Sequence, residues 1–186
     1  MQAAYEILQL YPLARFTIVG EGVIRSSLED LAARLKLTHS VHFAGWVSAT
    51  DLPALLAGVD IVINPSLRAW SETFCIANIE VMSMAVPLVT FAVGGIGEYV
   101  QDPHSHDHSS SFDDSSGDFS VSKNAVVVHR ATPMAVARAT FHLILHPELR
   151  QAIGIAARET VVAHFGVQRQ MQEYANLYTY LHELLK

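Results

Sequence analysis

The sequence is short of cysteine and of long apolar runs, and each shortage excludes a class of protein. Cys75 is the only cysteine in 186 residues, so the chain forms no internal disulfide, which fits a reducing compartment. No apolar stretch reaches the 18 or more residues of a membrane-spanning helix. Residues 1–7 lack the basic and apolar segments of a signal peptide. We therefore expect a cytoplasmic protein with no transmembrane segment.

Positive charge is also scarce, which argues against nucleic acid as a partner. Lys and Arg number 12 against 18 Asp and Glu, giving a formal net charge of −6. One segment, residues 101–123, holds five of the acidic residues: Asp102, Asp107, Asp113, Asp114 and Asp118. The rest of the chain is close to neutral and has no basic stripe for a phosphate backbone.

Apolar residues are abundant, at 51%, and they are arranged as short strands that alternate with helices. Apolar runs predict strands at 15–20, 40–45, 61–64, 87–91 and 124–129. Helical spacing and capping residues predict helices at 1–11, 26–37, 51–57, 76–83, 133–145, 147–164 and 167–185, with a short one opening at Gly94 and Gly95. This alternation predicts an α/β fold, with a Rossmann-like parallel sheet covered by helices on both faces, in a single domain over residues 1–186.

Residues 101–123 interrupt this pattern with a low-complexity insertion rich in serine and histidine. Because it has few apolar residues, we expect a surface loop or disorder, and deleting residues 103–119 should change stability only slightly. The spacing of His104, His106 and His108 around Asp107 is compatible with a metal ion. A low-complexity tract offers no second shell to fix such ligands, so we predict no metal site.

Glu72 and Glu80 are the most informative pair of residues. They bracket a stretch that follows the apolar run 60–66 and is predicted to be a loop entering a helix, with about 12 Å between them if it were wholly helical. The backbone amides of residues 73–76 would then lie unpaired at a helix N-terminus, which suits a pyrophosphate. Carboxylates on either side can accept hydrogen bonds from sugar hydroxyls. The arrangement predicts a nucleotide-sugar site.

Other interpretations of these residues remain open. Glu72 and Glu80 alone could be a charge at a helix start and a solvated helix residue. Gly20 and Gly22 could be half of a dinucleotide-binding fingerprint, but Arg25 stands at the position of the third glycine. Cys75 could be a nucleophile, although a small residue at a helix start with a lowered thiol pKa is the simpler hypothesis. Trp46 could lie in the core or against a base.

Several motifs together resemble the C-terminal, donor-binding half of retaining glycosyltransferase family 4 enzymes, which have the two-domain GT-B fold. The matching segments are 18–22 (IVGEG), 41–47 (VHFAGWV), 60–66 (DIVINPS), 72–80 and 93–98 (VGGIGE). They occur in the family's order and with similar spacing. The tail, with PELR at 147–150 and Phe165-Gly166 before a final helix, is also similar to the family's C-terminal end.

The resemblance implies a role for each matching residue. Glu80 would hold the ribose hydroxyls, and Glu72, the residue at the catalytic position, would contact the donor sugar. The remaining donor-binding residues it implies are Thr73, Phe74, Cys75 and Ile76 beside the diphosphate, Gly45, Trp46 and Val47 beside the base, and Gly20 and Gly22 at the nucleotide edge. The implied activity is hexosyl transfer with retention of configuration, which needs neither a metal nor a cofactor. The identities of the sugar, the base and the acceptor stay open.

The sequence also departs from the family pattern. Thr73 and Cys75 stand where the family commonly has glycine, and Gly97 stands where proline is common. Two parts of the family enzymes have no counterpart in this sequence. They are a first strand with a basic Arg/Lys loop, and the N-terminal acceptor-binding domain, which would be the missing partner of this chain. We therefore expect a truncated enzyme that binds a nucleotide weakly and transfers no sugar alone. The alternative is a non-catalytic nucleotide-binding or protein-interaction module derived from that fold.

Overall fold

The computed structural model describes residues 1–67, 70, 72–100 and 117–185. Its strands are β1 (Phe16–Val19), β2 (Val41–Gly45), β3 (Val62–Asn64), β4 (Leu88–Thr90), β5 (Phe119–Val121) and β6 (Val126–Val128). Its α-helices are α1 (Gln2–Leu10), α2 (Arg25–Arg34), α3 (Leu52–Leu56), α4 (Ile76–Ser83), α5 (Pro133–Leu145), α6 (Pro147–His164) and α7 (Val167–Leu184), and a 3-10 helix spans Gly94–Glu98. Every strand and helix predicted from the sequence is present.

The strands form two hydrogen-bonded sheets. In the first, β1 pairs in parallel with β2, so that Phe16 lies opposite Val41. The second has the order β3-β4-β6-β5, in which β3, β4 and β6 are parallel and β5 is antiparallel. Among the described residues, the outer edges of β1 and β3 carry no further strand. The predicted parallel α/β architecture is confirmed, but as two sheets.

The core forms three clusters of buried side chains. The two larger clusters correspond to the two sheets, and the third contains Leu56, Val81 and Val86. The larger cluster surrounds β4 and β6, in which every residue is buried, and includes α5 and α6 residues such as Leu143 and Ile153. The cluster at the first sheet consists of Ala4, Ala32, Leu37 and Val41. Helix α1 contributes Ala4 to this cluster and packs against α5 of the larger one, so α1 links the two parts.

The end of the predicted insertion is ordered structure, so the prediction of a loop over residues 101–123 is wrong at its C-terminal end. Strand β5 pairs with β6, and Phe119 packs against the larger cluster. Asp118 forms ion pairs with Arg138 at 2.6 Å and Arg130 at 3.7 Å. Ser122 is buried and its hydroxyl donates to the Ala125 carbonyl. A deletion that reaches Phe119 would remove the contacts of Asp118 and Phe119, so it should destabilise the protein more than the sequence predicts.

The predictions of no metal site and no transmembrane segment are compared with the described residues. The candidate metal ligands His104, His106, His108 and Asp107 lie outside the described residues, as do Asp102, Asp113 and Asp114. Within the described ranges, the structure groups no three His, Cys, Asp or Glu side chains in a way that could hold a metal ion. In the same ranges, no helix has the length and apolar character that a membrane crossing requires.

Helix α7 is amphipathic, but none of its residues is buried. Apolar side chains recur along it with alternating spacings of four and three, at Val167, Met171, Tyr174, Tyr178 and Leu181, and all of them are exposed. Such spacing places them on one face of the helix. The part of the chain that the structure describes therefore leaves this face uncovered.

Candidate nucleotide-sugar site

The predicted site residues fall into two groups, and the first lies where β1 and β2 end. Gly20 and Gly45 both have positive φ angles, of 119° and 72°, which favour glycine. The Gly20 amide donates to the Gly45 carbonyl at 2.7 Å, which joins the two turns. Gly22, Trp46 and Val47 follow them within two residues along the chain. The structure thus brings the predicted base-side and nucleotide-edge residues together.

An ion-pair cluster covers Gly45. Arg25 donates to Glu21, to Glu29 at 2.8 Å and to the Phe43 carbonyl at 3.3 Å. Gly45 is required by its backbone angle, whereas the Glu21 carboxylate, 2.7 Å from an added Cβ atom, ends a flexible exposed side chain that can move aside. Arg25 stands where a dinucleotide fingerprint needs glycine, and here it closes this cluster, which removes the support for a dinucleotide site.

Trp46 is 74% exposed, so it is not a core residue. Of the two roles left open by the sequence, only a surface role at the first group is compatible with this exposure. An exposed aromatic ring beside two tight glycine turns can stack against a planar base. Contact with a base remains a prediction for Trp46.

The second group lies between β3 and α4. Helix α4 begins at Ile76 with Cys75 as its N-cap residue, and no side chain within the described residues caps it. The first-turn amides of an uncapped helix can bind an anion. In α4 the Asn78 amide already donates to the Cys75 carbonyl at 3.0 Å, so the anion would be bound by the amides before it. Thr73 and Ile76 are exposed beside this helix end. This is the position that the sequence predicts for the diphosphate.

The loop before α4 is held from behind by packed side chains. The Phe74 ring makes edge-on contacts with Tyr99 and Phe165, each with a centroid distance of 5.4 Å. Gly95 of the 3-10 helix lies so close that a Cβ atom there would be 1.9 Å from the Thr73 carbonyl oxygen. The Phe74 side chain therefore anchors the loop, and only the Phe74 backbone is available to contact a ligand.

Glu72 and Glu80 are both half-buried at this helix. Glu72 Oε2 accepts a hydrogen bond from the Ser66 hydroxyl at 3.0 Å, which ties it to the turn that follows β3. Glu80 lies one turn beyond Ile76 on the same side of α4, whereas Asn78, Val81 and Met82 form the buried side. Both carboxylates are placed to accept hydrogen bonds near the uncapped helix end.

Cys75 has a thiol unlike the one predicted. Burial raises the pKa of Cys75. A hydrogen bond from the Asn78 backbone amide opposes this, and the Glu72 carboxylate raises the pKa further. The expectation of a lowered thiol pKa is wrong because desolvation and a neighbouring carboxylate disfavour the thiolate. The thiol instead accepts a hydrogen bond from the Asn64 side-chain amide at 3.0 Å. Cys75 has φ of 57°, a left-handed angle that explains why glycine is common at this position in the family it resembles.

Sequence reasoning missed four polar residues behind the second group: Asn64, Ser66, Asn78 and Tyr99. Asn78 is 1% exposed on the core side of α4, and its amide bonds both Asn64 and Tyr99. The available signal was an asparagine on the face of the predicted helix that otherwise carries Val81 and Met82. A polar residue on a buried helix face requires partners.

The two groups belong to different sheets, and within the described residues no hydrogen bond or ring contact joins them. Each has a different chemical capacity. The first offers an exposed aromatic ring and glycine turns, and the second offers backbone amides between two carboxylates. Together these are the elements that a nucleoside diphosphate with an attached sugar requires.

Comparison with known proteins gives a consistent result. The sequence profile described as "Glycosyl transferases group 1" matches residues 1–146. The chain is 36% identical to an uncharacterized glycosyltransferase, MJ1607, of Methanocaldococcus jannaschii over 47% of this chain and 22% of that protein. It is 34% identical to a glycogen synthase of Mycobacterium tuberculosis over 48% of this chain and 21% of that protein.

Solved structures resemble the whole chain. A crystal structure of Anabaena Alr3699/HepE in complex with UDP and glucose superposes with a TM-score of 0.75 at 20% identity, covering 96% of this chain and 44% of that one. At this identity the likeness establishes the fold, which is that of the GT-B enzymes. The sequence matches span about a fifth of the length of the two curated relatives.

Proposed function

Because this chain belongs to the glycosyl transferases group 1 family, we propose that it binds the nucleotide-sugar donor of a retaining, metal-independent hexosyltransferase of family 4. The observation that carries the proposal is the uncapped start of α4 between Glu72 and Glu80. Helix amides suit the diphosphate, and a carboxylate on each side suits ribose on one end and hexose on the other. The acceptor is unassigned.

Each site residue has a separate role in binding or in the reaction. Glu80 holds the ribose hydroxyls, Trp46 lies against the base, and the amides at the start of α4 bind the diphosphate. Glu72 contacts the hexose. As the bond from sugar to phosphate breaks, negative charge builds on the leaving diphosphate, and the helix end stabilises it electrostatically.

Further polypeptide completes the enzyme in this proposal. The curated relatives are about five times longer than the segment that they share with this chain, and α7 exposes an apolar face. An N-terminal acceptor-binding domain, and a basic pair to neutralise the diphosphate, would come from outside residues 1–186. We place the protein in the cytoplasm.

By itself, the chain then binds a nucleotide but does not catalyse sugar transfer. We expect affinities in the high micromolar to millimolar range, about −4 to −6 kcal/mol. We expect no release of UDP when nucleotide-sugars and acceptors are supplied. Release that disappears in Glu72→Ala would show instead that residues 1–186 contain a complete active site.

Removal of the Glu80 carboxylate tests the proposed site. Glu80→Ala should weaken UDP binding by about 1.5–3 kcal/mol, the range for hydrogen bonds to a charged group. Isothermal calorimetry with UDP measures this, and Glu183→Ala on exposed α7 is the matched control, which should bind UDP like the wild type. Equal affinities for the wild type and Glu80→Ala would remove Glu80 from the site.

The exposed face of α7 favours one alternative, a non-catalytic nucleotide-binding or protein-interaction module. A module would retain UDP binding but have no need of Glu72, which contacts only the sugar. The full-length protein distinguishes the two. Sugar transfer that is lost in Glu72→Ala supports the enzyme, and transfer absent from the full-length wild type supports the module.

A further inference from the structure

Asn78 is a buried amide at a helix position where an apolar residue would be the simpler choice. It is 1% exposed, and Val81 and Met82 share its side of α4. Burial of an unbonded amide costs about 1–3 kcal/mol in proteins. Here both ends are satisfied: Oδ1 accepts from Asn64 Nδ2 at 2.8 Å, and Nδ2 donates to the Tyr99 hydroxyl at 3.0 Å. A buried amide that is bonded at both its oxygen and its nitrogen fixes the orientation of its partners.

Asn64 connects Asn78 to the turn after β3 through hydrogen bonds at both ends of its side-chain amide. Its Nδ2 is directed to Asn78 and to the Cys75 thiol, so its Oδ1 points the other way. That oxygen accepts from the Ser66 backbone amide at 3.0 Å, which is the hydrogen bond of an Asx turn. The Ser66 hydroxyl then donates to Glu72 Oε2 at 3.0 Å. One continuous set of hydrogen bonds therefore runs from Tyr99 to Glu72.

Tyr99 closes the set at its buried end. Its ring packs against Phe74, and its hydroxyl donates to the Cys75 carbonyl at a long 3.5 Å. Burial raises the pKa of Tyr99 well above its ordinary value, so the hydroxyl keeps its proton. The same network thus touches the left-handed Cys75 on one side and Glu72 on the other.

We infer that Asn78 is a positioning residue for Glu72, acting through Asn64 and Ser66 to hold the carboxylate where the donor sugar binds. This inference rests on the proposed function, because the sugar gives Glu72 its role. Asn78 itself lies behind the site and is buried, so it does not touch the ligand. It should affect recognition of the sugar and leave recognition of the nucleotide largely unchanged.

Binding of UDP and of UDP-glucose to residues 1–186 separates these effects. In Asn78→Leu we expect the UDP affinity to change less than twofold, while the affinity of UDP-glucose relative to UDP falls about fivefold, the size of one lost hydrogen bond. Glu72→Gln should give the same loss, and the double variant should lose no more. Losses that add in the double variant would overturn the inference.

Two further variants guard against a general loss of packing. Ser66→Ala cuts the last hydrogen bond without altering the buried amide, and it should reproduce the fall in relative affinity even if Asn78→Leu does not fold. Thr140→Val is the matched control, because Thr140 is a buried polar residue whose hydroxyl bonds the Val136 carbonyl within α5. It should leave the relative affinity unchanged. A fall in Thr140→Val as large as in Ser66→Ala would show a merely structural effect.

The single thiol gives a readout that needs no nucleotide. Because Glu72 raises the pKa of Cys75, Glu72→Gln should speed the reaction of the folded protein with a disulfide reagent at about pH 8. The rate should rise clearly above that of the wild type, because a larger fraction of the thiol is then ionised. In a background of Asn78→Leu or Ser66→Ala, the same Glu72→Gln change should have less than half of that effect.

The two readouts distinguish the failure of each idea. If wild-type protein binds neither UDP nor UDP-glucose, the proposed function fails, and the thiol reaction still decides whether Asn78 positions Glu72. If the Glu72→Gln effect on the thiol is the same in every background, the positioning role is wrong even where UDP-glucose binds. Coupling in both readouts supports the inference.

Discussion

Substitution of Gly95 by alanine should destabilise the protein because of one close contact. Gly95 lies in the 3-10 helix, and an added Cβ atom would be 1.9 Å from the Thr73 carbonyl oxygen and 3.2 Å from Phe74 Cα. Ordinary contacts begin near 3.4 Å. The Thr73 carbonyl would therefore have to move by about 1.5 Å, and Phe74, which packs on Tyr99 and Phe165, would resist this.

The magnitude follows from comparison with a neighbouring glycine. Inserting a methyl group into a well-packed region costs about 1–3 kcal/mol. Alanine also restricts the unfolded chain, which stabilises the protein by about 0.4–1 kcal/mol where the native backbone allows it. Gly97 lies in the same 3-10 helix, and the nearest atom to its added Cβ is the Ala92 carbonyl oxygen at 3.8 Å. The entropic part is common to both variants, so Gly95→Ala should be less stable than Gly97→Ala by about 1–3 kcal/mol.

Urea unfolding followed by circular dichroism measures this difference. Gly97→Ala should unfold at the wild-type urea concentration or slightly above it, and Gly95→Ala clearly below both. UDP binding by Gly95→Ala should also weaken, since the displaced carbonyl belongs to the loop that leads into α4. Equal stability of the two variants would refute the reasoning that this contact fixes the loop.

Two other residues give further tests. Phe119→Ala should lower the free energy of unfolding by up to about 3 kcal/mol, because Phe119 packs against the main core; no loss in urea unfolding would mean that β5 is dispensable. Burial, and secondarily His146, lowers the pKa of His142 below 6.5. The unfolded chain then binds this proton first, so stability should fall as pH drops below about 6.5. Urea unfolding of His142→Gln should show a smaller loss between pH 7.5 and 5.5, and equal losses in variant and wild type would contradict this.

Local signals in the sequence were sufficient for most of the fold. Helices α5 and α6 each begin at a proline, and Thr132 caps α5 by accepting from the Ala135 amide at 3.2 Å. Strand β5 was not predicted because three residues, following a serine-rich tract, depend on their distant partner β6 for order. The division into two sheets is likewise a matter of long-range pairing, about which the apolar runs carry no information.

The candidate site was predictable in its outline but not in its support. Spacing and motifs identified Glu72, Glu80 and the helix start between them. The left-handed angle of Cys75 had no signal in the residue itself, since cysteine does not favour that region. The hydrogen bonds from Asn78 to Glu72 join residues that are close only after folding. Their polar side chains could be noticed in the sequence, but their partners could not be assigned.

The division of the core implies that the molecule opens in parts of unequal strength. The cluster around β1 and β2 has four buried residues, whereas the cluster around β4 and β6 has nineteen. Apolar burial is the main source of stability, so the smaller part should separate at a lower free energy than global unfolding requires. Its separation would carry Trp46 and the glycine turns away while α4 and its helix end stay in place. The base-binding side of the site would then open and close while the rest of the protein stays folded, and the diphosphate-binding side would remain formed.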